Sequence, residues 1–301
     1  MTALGIPASE HLLASYPEYT AIFTVRNASG SDKNTAQLRE TIARFANAKA
    51  TIHALDLSSL SDVYAFADQI SSDITSAKLP PLDAIIANAD YWNLVGDPEI
   101  TSDGFDKTFQ VAHIAHSVLV LSLLGRFGEK GRIVLLSSDS HWPGRNSMEK
   151  YPPVIRPDNL DELIKPFVMR TSEAVATRAT RDDKRIHRGV FELSNHMQDP
   201  SLSKISAVAI NPGNLVDSRA LTSNTPIPMG RTLRTAGPAG IDVIELAVNP
   251  EYADKMGFFT LLQEDTSSPA SQDESKQEAL WKKTLEWAKI TAESTALNIG
   301  A

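Results

Sequence analysis

No cysteine occurs among the 301 residues. Disulfides, thiolate nucleophiles and cysteine-built zinc sites are therefore excluded, and a reducing compartment suits the chain. Basic residues are outnumbered, 29 against 37 acidic, for a net charge of −8. That balance disfavours nonspecific binding to nucleic acid or to an anionic membrane, and no base-reading module is present. Long apolar runs are missing as well: the longest, at 117–125, is far too short to span a bilayer. The amino terminus has neither the cationic start nor the apolar core of a signal peptide. These absences make a soluble, cytoplasmic protein the expectation and leave open whether it forms a homo-oligomer.

What is present is a strand-and-helix alternation. Residues 82–90 read LDAIIANAD, an apolar run without alternation, as expected of a parallel strand covered on both faces. Asn88 stands at its carboxyl end, where open α/β sheets bind ligands, although an Asn there also serves as a simple turn cap. Similar strands are expected at 19–25, 50–55, 132–138, 205–211 and 257–262, with long helical segments between them. In 58–72, Leu60, Val63, Phe66, Ala67 and Ile70 share one helical face, and 105–127 carries the apolar stripe of a buried helix. The pattern predicts βαβ units in a doubly wound, Rossmann-like parallel sheet. With 42 % apolar residues and no dividing linker, 1–301 reads as one domain.

Two segments read as irregular. The first, 139–165, is rich in Pro, Asn and Asp and predicts a long loop on the substrate side with one short helix at its end. The second, 263–274, predicts a polar surface loop before a final amphipathic helix at 276–291.

The strand-end motifs LDLSSLSDV, LDAIIANAD, GRIVLLSSDS and AINPG, in this order and spacing, resemble the short-chain dehydrogenase/reductase family. The overall likeness is to its fungal, NADP-dependent members of secondary metabolism. On the cofactor side the resemblance implies NADP, with the phosphate turn reduced to Gly5, since Ala3 takes the place of the middle glycine. The family's first strand and first glycine are absent, as in a truncated relative or a sheet that closes differently. Arg26 stands where NADP-preferring members carry a cation for the 2′-phosphate, a role suited to a bidentate guanidinium. Asp56 and Leu57 match the adenine-contacting pair, Asn88 and Ala89 the Asn-Asn-Ala-Gly turn, and Pro212 and Gly213 the turn after the fifth expected strand. Asp90 replaces a glycine and puts a carboxylate beside an anionic cofactor.

On the catalytic side the family uses a Ser to hold the carbonyl, a Tyr as proton donor, a Lys four residues on, and an Asn for a relay water. Ser138 matches the serine, while Ala112 stands in place of the asparagine. Lys184 falls within one residue of the lysine, but Thr180 replaces the tyrosine, and a threonine hydroxyl is too weakly acidic for that role. The stretch 170–188 is dense in Arg and Asp where the family has a buried helix. Tyr151 has the usual spacing from Ser138, yet Pro152 and Pro153 forbid the helix that would align Tyr and Lys. His141 and Trp142 in the same loop suit a substrate contact better than Tyr151, but an ordinary loop turn is the reading that demands least. The resemblance thus implies an NADP-dependent reductase or dehydrogenase acting on a ketone or alcohol. A catalytically degenerate relative with a nonredox role is the alternative, and a Rossmann-like methyltransferase is disfavoured by the serine pair beside the AINPG turn.

Overall fold

A computed structural model describes residues 4–91, 97–142, 159–165, 202–217 and 232–299. Its elements follow the expected alternation: α1 (Gly5–Ser15), β1 (Thr20–Val25), α2 (Lys33–Ala43), β2 (Lys49–Ala54), α3 (Leu60–Thr75), β3 (Leu82–Ala87) and a long helix α4 (Lys107–Arg126). After these come β4 (Phe127–Leu136), β5 (Ile205–Asn211), the short β6 (Asn214–Leu215) and β7 (Leu233–Arg234), α5 (Ala236–Val248), β8 (Gly257–Thr260), β9 (Gln263–Asp265) and α6 (Glu274–Ala288).

The main sheet has the order β3-β4-β5-β8-β9, parallel except for the antiparallel edge strand β9. All seven residues of β5 are buried, which is why that strand reads as a continuous apolar run. One core cluster, with Phe109, Ile114, Leu121 and Leu280, gathers α3, α4 and α6, while a second, with Ala8, Val243, Ile244 and Phe259, gathers α1 and α5. The fold is therefore doubly wound. Helix α4 is long and apolar enough to cross a membrane, yet 78 % of its apolar window is buried inside the protein, so it is the core helix that its stripe predicted.

Local signals explain where the helices start. Asp32 accepts from the Thr35 amide at 2.8 Å, Ser59 from the Asp62 amide at 3.3 Å and Asp273 from the Lys276 amide at 3.2 Å, each satisfying an otherwise orphaned donor of a first turn.

Two expectations need correction. The strand expected at 132–138 starts earlier, at Phe127, and ends at Leu136, so the helix before it is shorter than its apolar run. The segment 263–274 does pass along the surface at Gln263, Glu264 and Gln272, but it is ordered structure: β9 pairs with β8, and Ser267, Ser268 and Ser271 are buried. Ser271 donates to the Ser268 carbonyl at 2.7 Å, which lets small polar side chains lie inside.

Helix α1 is held on α5 by close approach and by one carboxylate. A β-carbon on Gly240 would stand 2.6 Å from the Ala8 amide nitrogen, so only glycine allows the two backbones to meet. Glu245 accepts from His11 Nε2 at 2.7 Å, Tyr16 Oη at 2.9 Å and Asn249 Nδ2 at 2.5 Å. Burial alone would raise the Glu245 pKa, but these hydrogen bonds outweigh it and hold the carboxyl below its ordinary value. A depressed folded pKa contributes stability above the unfolded value near 4.3 and loses it as pH falls through the folded value. Glu245→Gln is accordingly expected to cost on the order of 1 kcal/mol at pH 7 and progressively less as acid protonates the carboxyl. Thermal unfolding of both proteins from pH 7 downwards measures the gap, and a gap that does not narrow as pH falls contradicts the assignment.

Candidate cofactor and substrate site

The parallel order breaks at one place. β1 and β2 form a sheet of their own, parallel to each other and not hydrogen-bonded to the main sheet. Between β1 and β3 lies a cavity of about 520 Å³. Gly5, Arg26, Asp56, Leu57, Asn88 and Ala89 all line it, so the structure gathers six of the expected cofactor residues around one space.

Each reaches the cavity for a local reason. Arg26 directly follows β1, and its charge acts on both Asp56 and Tyr91. Burial works against the Asp56 carboxylate, yet the Ser58 hydroxyl at 2.6 Å and amide at 2.9 Å, helped by Arg26 and Lys107, carry its pKa below the ordinary value. Asp56 is thus a fixed anion at neutral pH. Leu57 is held through its carbonyl by Gln110 Nε2 at 3.3 Å, and the same amide donates to Asp103 at 2.7 Å. Asp103 in turn accepts the Leu60 amide at 2.9 Å. Gln110 is fully buried and opens a π-helical turn, Gln110–Ile114, within α4; such turns recur at functional sites. Ala112 lies buried in that turn.

The rim carries groups that motif reading missed. Glu99 accepts from Tyr91 Oη and, at 2.8 Å, from Lys107 Nζ, which also stands 4.4 Å from the Tyr91 ring centre. Only the carboxylate-and-cation pairing would have flagged them, and its members, eight residues apart, fall outside any contact spacing within one helix or strand. His116 donates Nε2–H to the Ala89 carbonyl at 2.8 Å. Burial lowers its pKa, so the ring is neutral at pH 7 and Nδ1 is an acceptor.

The catalytic side is separate from this cavity. Ser137 donates its amide to the Ile210 carbonyl at 2.7 Å, which puts Ser138 beside the turn after β5. Pro212 and Gly213 form that turn; Gly213 adopts a φ of +89°, and a β-carbon there would meet the Thr232 carbonyl oxygen at 2.7 Å. Ser138, Pro212 and Gly213 sit at neighbouring strand ends but do not line the cavity. His141 follows the loop-turn alternative: it is buried, its Nδ1 lies 2.5 Å from the Ser138 carbonyl, and its ring packs edge-on against Phe258 at 4.8 Å. It braces the loop rather than facing a substrate. Trp142 Nε1 donates to the Thr266 carbonyl at 2.8 Å. Tyr151, Thr180, Lys184 and the stretch 170–188 lie outside the described residues.

Residues 227–297 match the AcuH dehydrogenase domain family. Dehydrogenase acuH of Aspergillus aculeatus is 56 % identical over 66 residues, covering 22 % of this chain and 67 % of that protein. Short-chain dehydrogenase iccH of Talaromyces variabilis is 26 % identical over 93 % of this chain and 90 % of its own. The chain belongs to the short-chain dehydrogenase/reductase family. Among solved structures, the NADPH-bound carbonyl reductase from chicken fatty liver superposes with a TM-score of 0.57 at 15 % identity, over 88 % of this chain and 95 % of that one, a likeness of fold alone. The family match at 227–297 takes in β7, α5, β8, β9 and α6 and does not include Arg26, Asp56 or Asn88.

Asp90 gives the site a pH dependence. The surrounding protein pushes its carboxyl up, to about 6, while the residue keeps contact with solvent, which screens part of the effect. A raised pKa means the repelling charge is present above that value and fades below it. NADP⁺ affinity of the wild type is therefore expected to rise relative to Asp90→Asn as pH falls from 7.5 to 5.5. Only the difference between the two proteins reads the carboxylate, because a phosphomonoester also titrates near pH 6. A constant difference across that range would place Asp90 outside the cofactor's reach.

Proposed function

We propose that this chain is an NADP-dependent oxidoreductase of fungal secondary metabolism and the cytoplasm, reducing a ketone or oxidising an alcohol at a low rate. The observation that carries this reading is the convergence of Arg26, Asp56, Leu57, Asn88 and Ala89 on one cavity. The donor set fits the adenosine end of the cofactor: a cation for the 2′-phosphate, a fixed carboxylate and a polar strand-end turn. At the start of α1, Leu4 and Gly5 are among the described residues that line the cavity, and a helix amino terminus suits the charge of a pyrophosphate. When bound, the nicotinamide would supply or accept hydride. Ser138 would donate its hydroxyl to the carbonyl oxygen, held at its strand end by the β4–β5 ladder.

The alternative, a degenerate relative that binds ligand without turnover, is favoured by a specific observation: the α4 turn presents the methyl group of Ala112 where the family keeps its relay amide.

Titration of NADPH fluorescence tests the cofactor assignment. Arg26→Ala is expected to weaken NADPH binding about tenfold or more, the loss of one charge-assisted contact, and to leave NADH binding unchanged. Equal affinities of the wild type for NADPH and NADH would remove Arg26 from the site.

A further inference from the structure

The rim of the cavity carries its charges in pairs. Arg26 stands just past β1 and Asp56 shortly past β2, while Lys107 and Glu99 meet at 2.8 Å. Arg26 and Lys107 each pull on both carboxylates, so the two cations share one neighbourhood. Charge counting decides what that neighbourhood can bind. A phosphomonoester carries nearly two negative charges at neutral pH, whereas Arg26 supplies one positive charge and stands beside the fixed anion Asp56. A second cation is required, and among the described residues that line the cavity Lys107 is the other lysine or arginine.

The backbone of Lys107 is fixed and its side chain is not. Its amide donates to the Glu99 carbonyl at 2.9 Å, and Asp106 caps the start of α4 by accepting the Phe109 amide at 3.1 Å. The ammonium ends a side chain that is 22 % exposed, 4.4 Å from the Tyr91 ring centre, and a flexible four-carbon stem lets it re-aim its donors. Glu99 is not stranded by such a move, because it also accepts from Tyr91 Oη and its side chain is 45 % exposed. Burial and the hydrogen bond to Glu99 push the Tyr91 pKa up to about 12, so the hydroxyl keeps its proton for that role.

With NADP at this rim, as proposed above, we infer that Lys107 is the second cation of the 2′-phosphate site: its ammonium turns from Glu99 to the phosphate and, together with Arg26, selects NADP over NAD. The phosphate is then held between a planar guanidinium and a mobile point charge. An adenosine without that phosphate leaves Lys107 on Glu99 and gains nothing from it.

Calorimetric titration of the intact chain with adenosine 2′,5′-bisphosphate and adenosine 5′-monophosphate tests this, since the two probes differ only in the 2′-phosphate. The titration is run at about pH 8, where the phosphomonoester is fully ionised. Lys107→Gln, which keeps most of the stem over Tyr91, is expected to weaken the bisphosphate about three- to tenfold and to leave the monophosphate unchanged. Lys107→Arg retains most of the affinity. Lys282→Ala, the loss of one charge at an exposed site on α6, has no effect on either probe. Equal weakening of both probes in Lys107→Gln, or the same weakening in Lys282→Ala, overturns the inference. An unchanged bisphosphate affinity in Lys107→Gln, with Arg26→Ala weakening it, overturns the inference and leaves the cofactor reading standing. Equal affinities of the wild type for the two probes overturn both.

Discussion

Replacement of Arg132 by methionine is expected to destabilise the fold by about 3 kcal/mol or more and to lower the unfolding midpoint by several degrees. Arg132 sits buried in β4 and donates from Nε to the Leu246 carbonyl at 2.8 Å, from Nη1 to Ser206 Oγ at 2.8 Å, and from Nη1 to the Lys255 carbonyl. Leu246 lies in the last turn of α5, whose carbonyls have no helical partner and carry the negative end of the dipole. Burial is the largest influence on the guanidinium and lowers its pKa to about 10, against the attraction of Asp254, so it stays charged at neutral pH. Methionine keeps the apolar bulk and removes every donor, leaving buried acceptors unsatisfied. Arg132→Lys keeps the charge without the planar fork and is expected to fall between the two. Circular dichroism melts of the three proteins measure the order, and a methionine variant melting within a degree of the wild type would show that these acceptors find other donors.

That clamp was not legible from the sequence, because Arg132 reads simply as the polar start of a strand. Periodicity exposes what it faces only in aggregate: β5, buried along its whole length, could be read to the residue, and the stripe of α3 was visible in Leu60, Val63, Ala67 and Ile70. Partners brought together by folding are a different matter. Gln110 holding Leu57, Lys107 and Tyr91 sharing Glu99, and His141 turned against Phe258 depend on contacts between segments with no common local signal. Arg26, Asp56, Leu57, Asn88 and Ala89 could be picked out because each follows a strand, where sheet topology alone brings them to one cavity. The split of the sheet was not legible in the strand pattern: among the described residues β1 and β3 belong to separate sheets and line one cavity.

Reduction of simple ketones with NADPH is expected to run about two to four orders of magnitude below an ordinary enzymatic rate of about 10 s⁻¹, the usual cost of lacking a positioned general acid. Ser138 remains at its strand end with its hydroxyl 3.5 Å from the Asp139 carboxylate. In the proposed function that hydroxyl holds a carbonyl, but a serine hydroxyl does not supply a proton near neutral pH. His141 is buried and turned to the Ser138 backbone, so its geometry does not offer a proton to the same carbonyl. Ala112 supplies no relay contact, and the tyrosine expected before Lys184 is Thr180. Single-turnover absorbance of NADPH against a panel of ketones and quinones measures the rate, with Ser138→Ala and Tyr151→Phe as the decisive pair. A slow rate lost in Ser138→Ala fits the proposed oxidoreductase, and no turnover with intact NADPH binding fits the degenerate relative. An ordinary rate that falls in Ser138→Ala but survives in Tyr151→Phe would contradict both, because it requires a proton donor other than any identified at the end of β4.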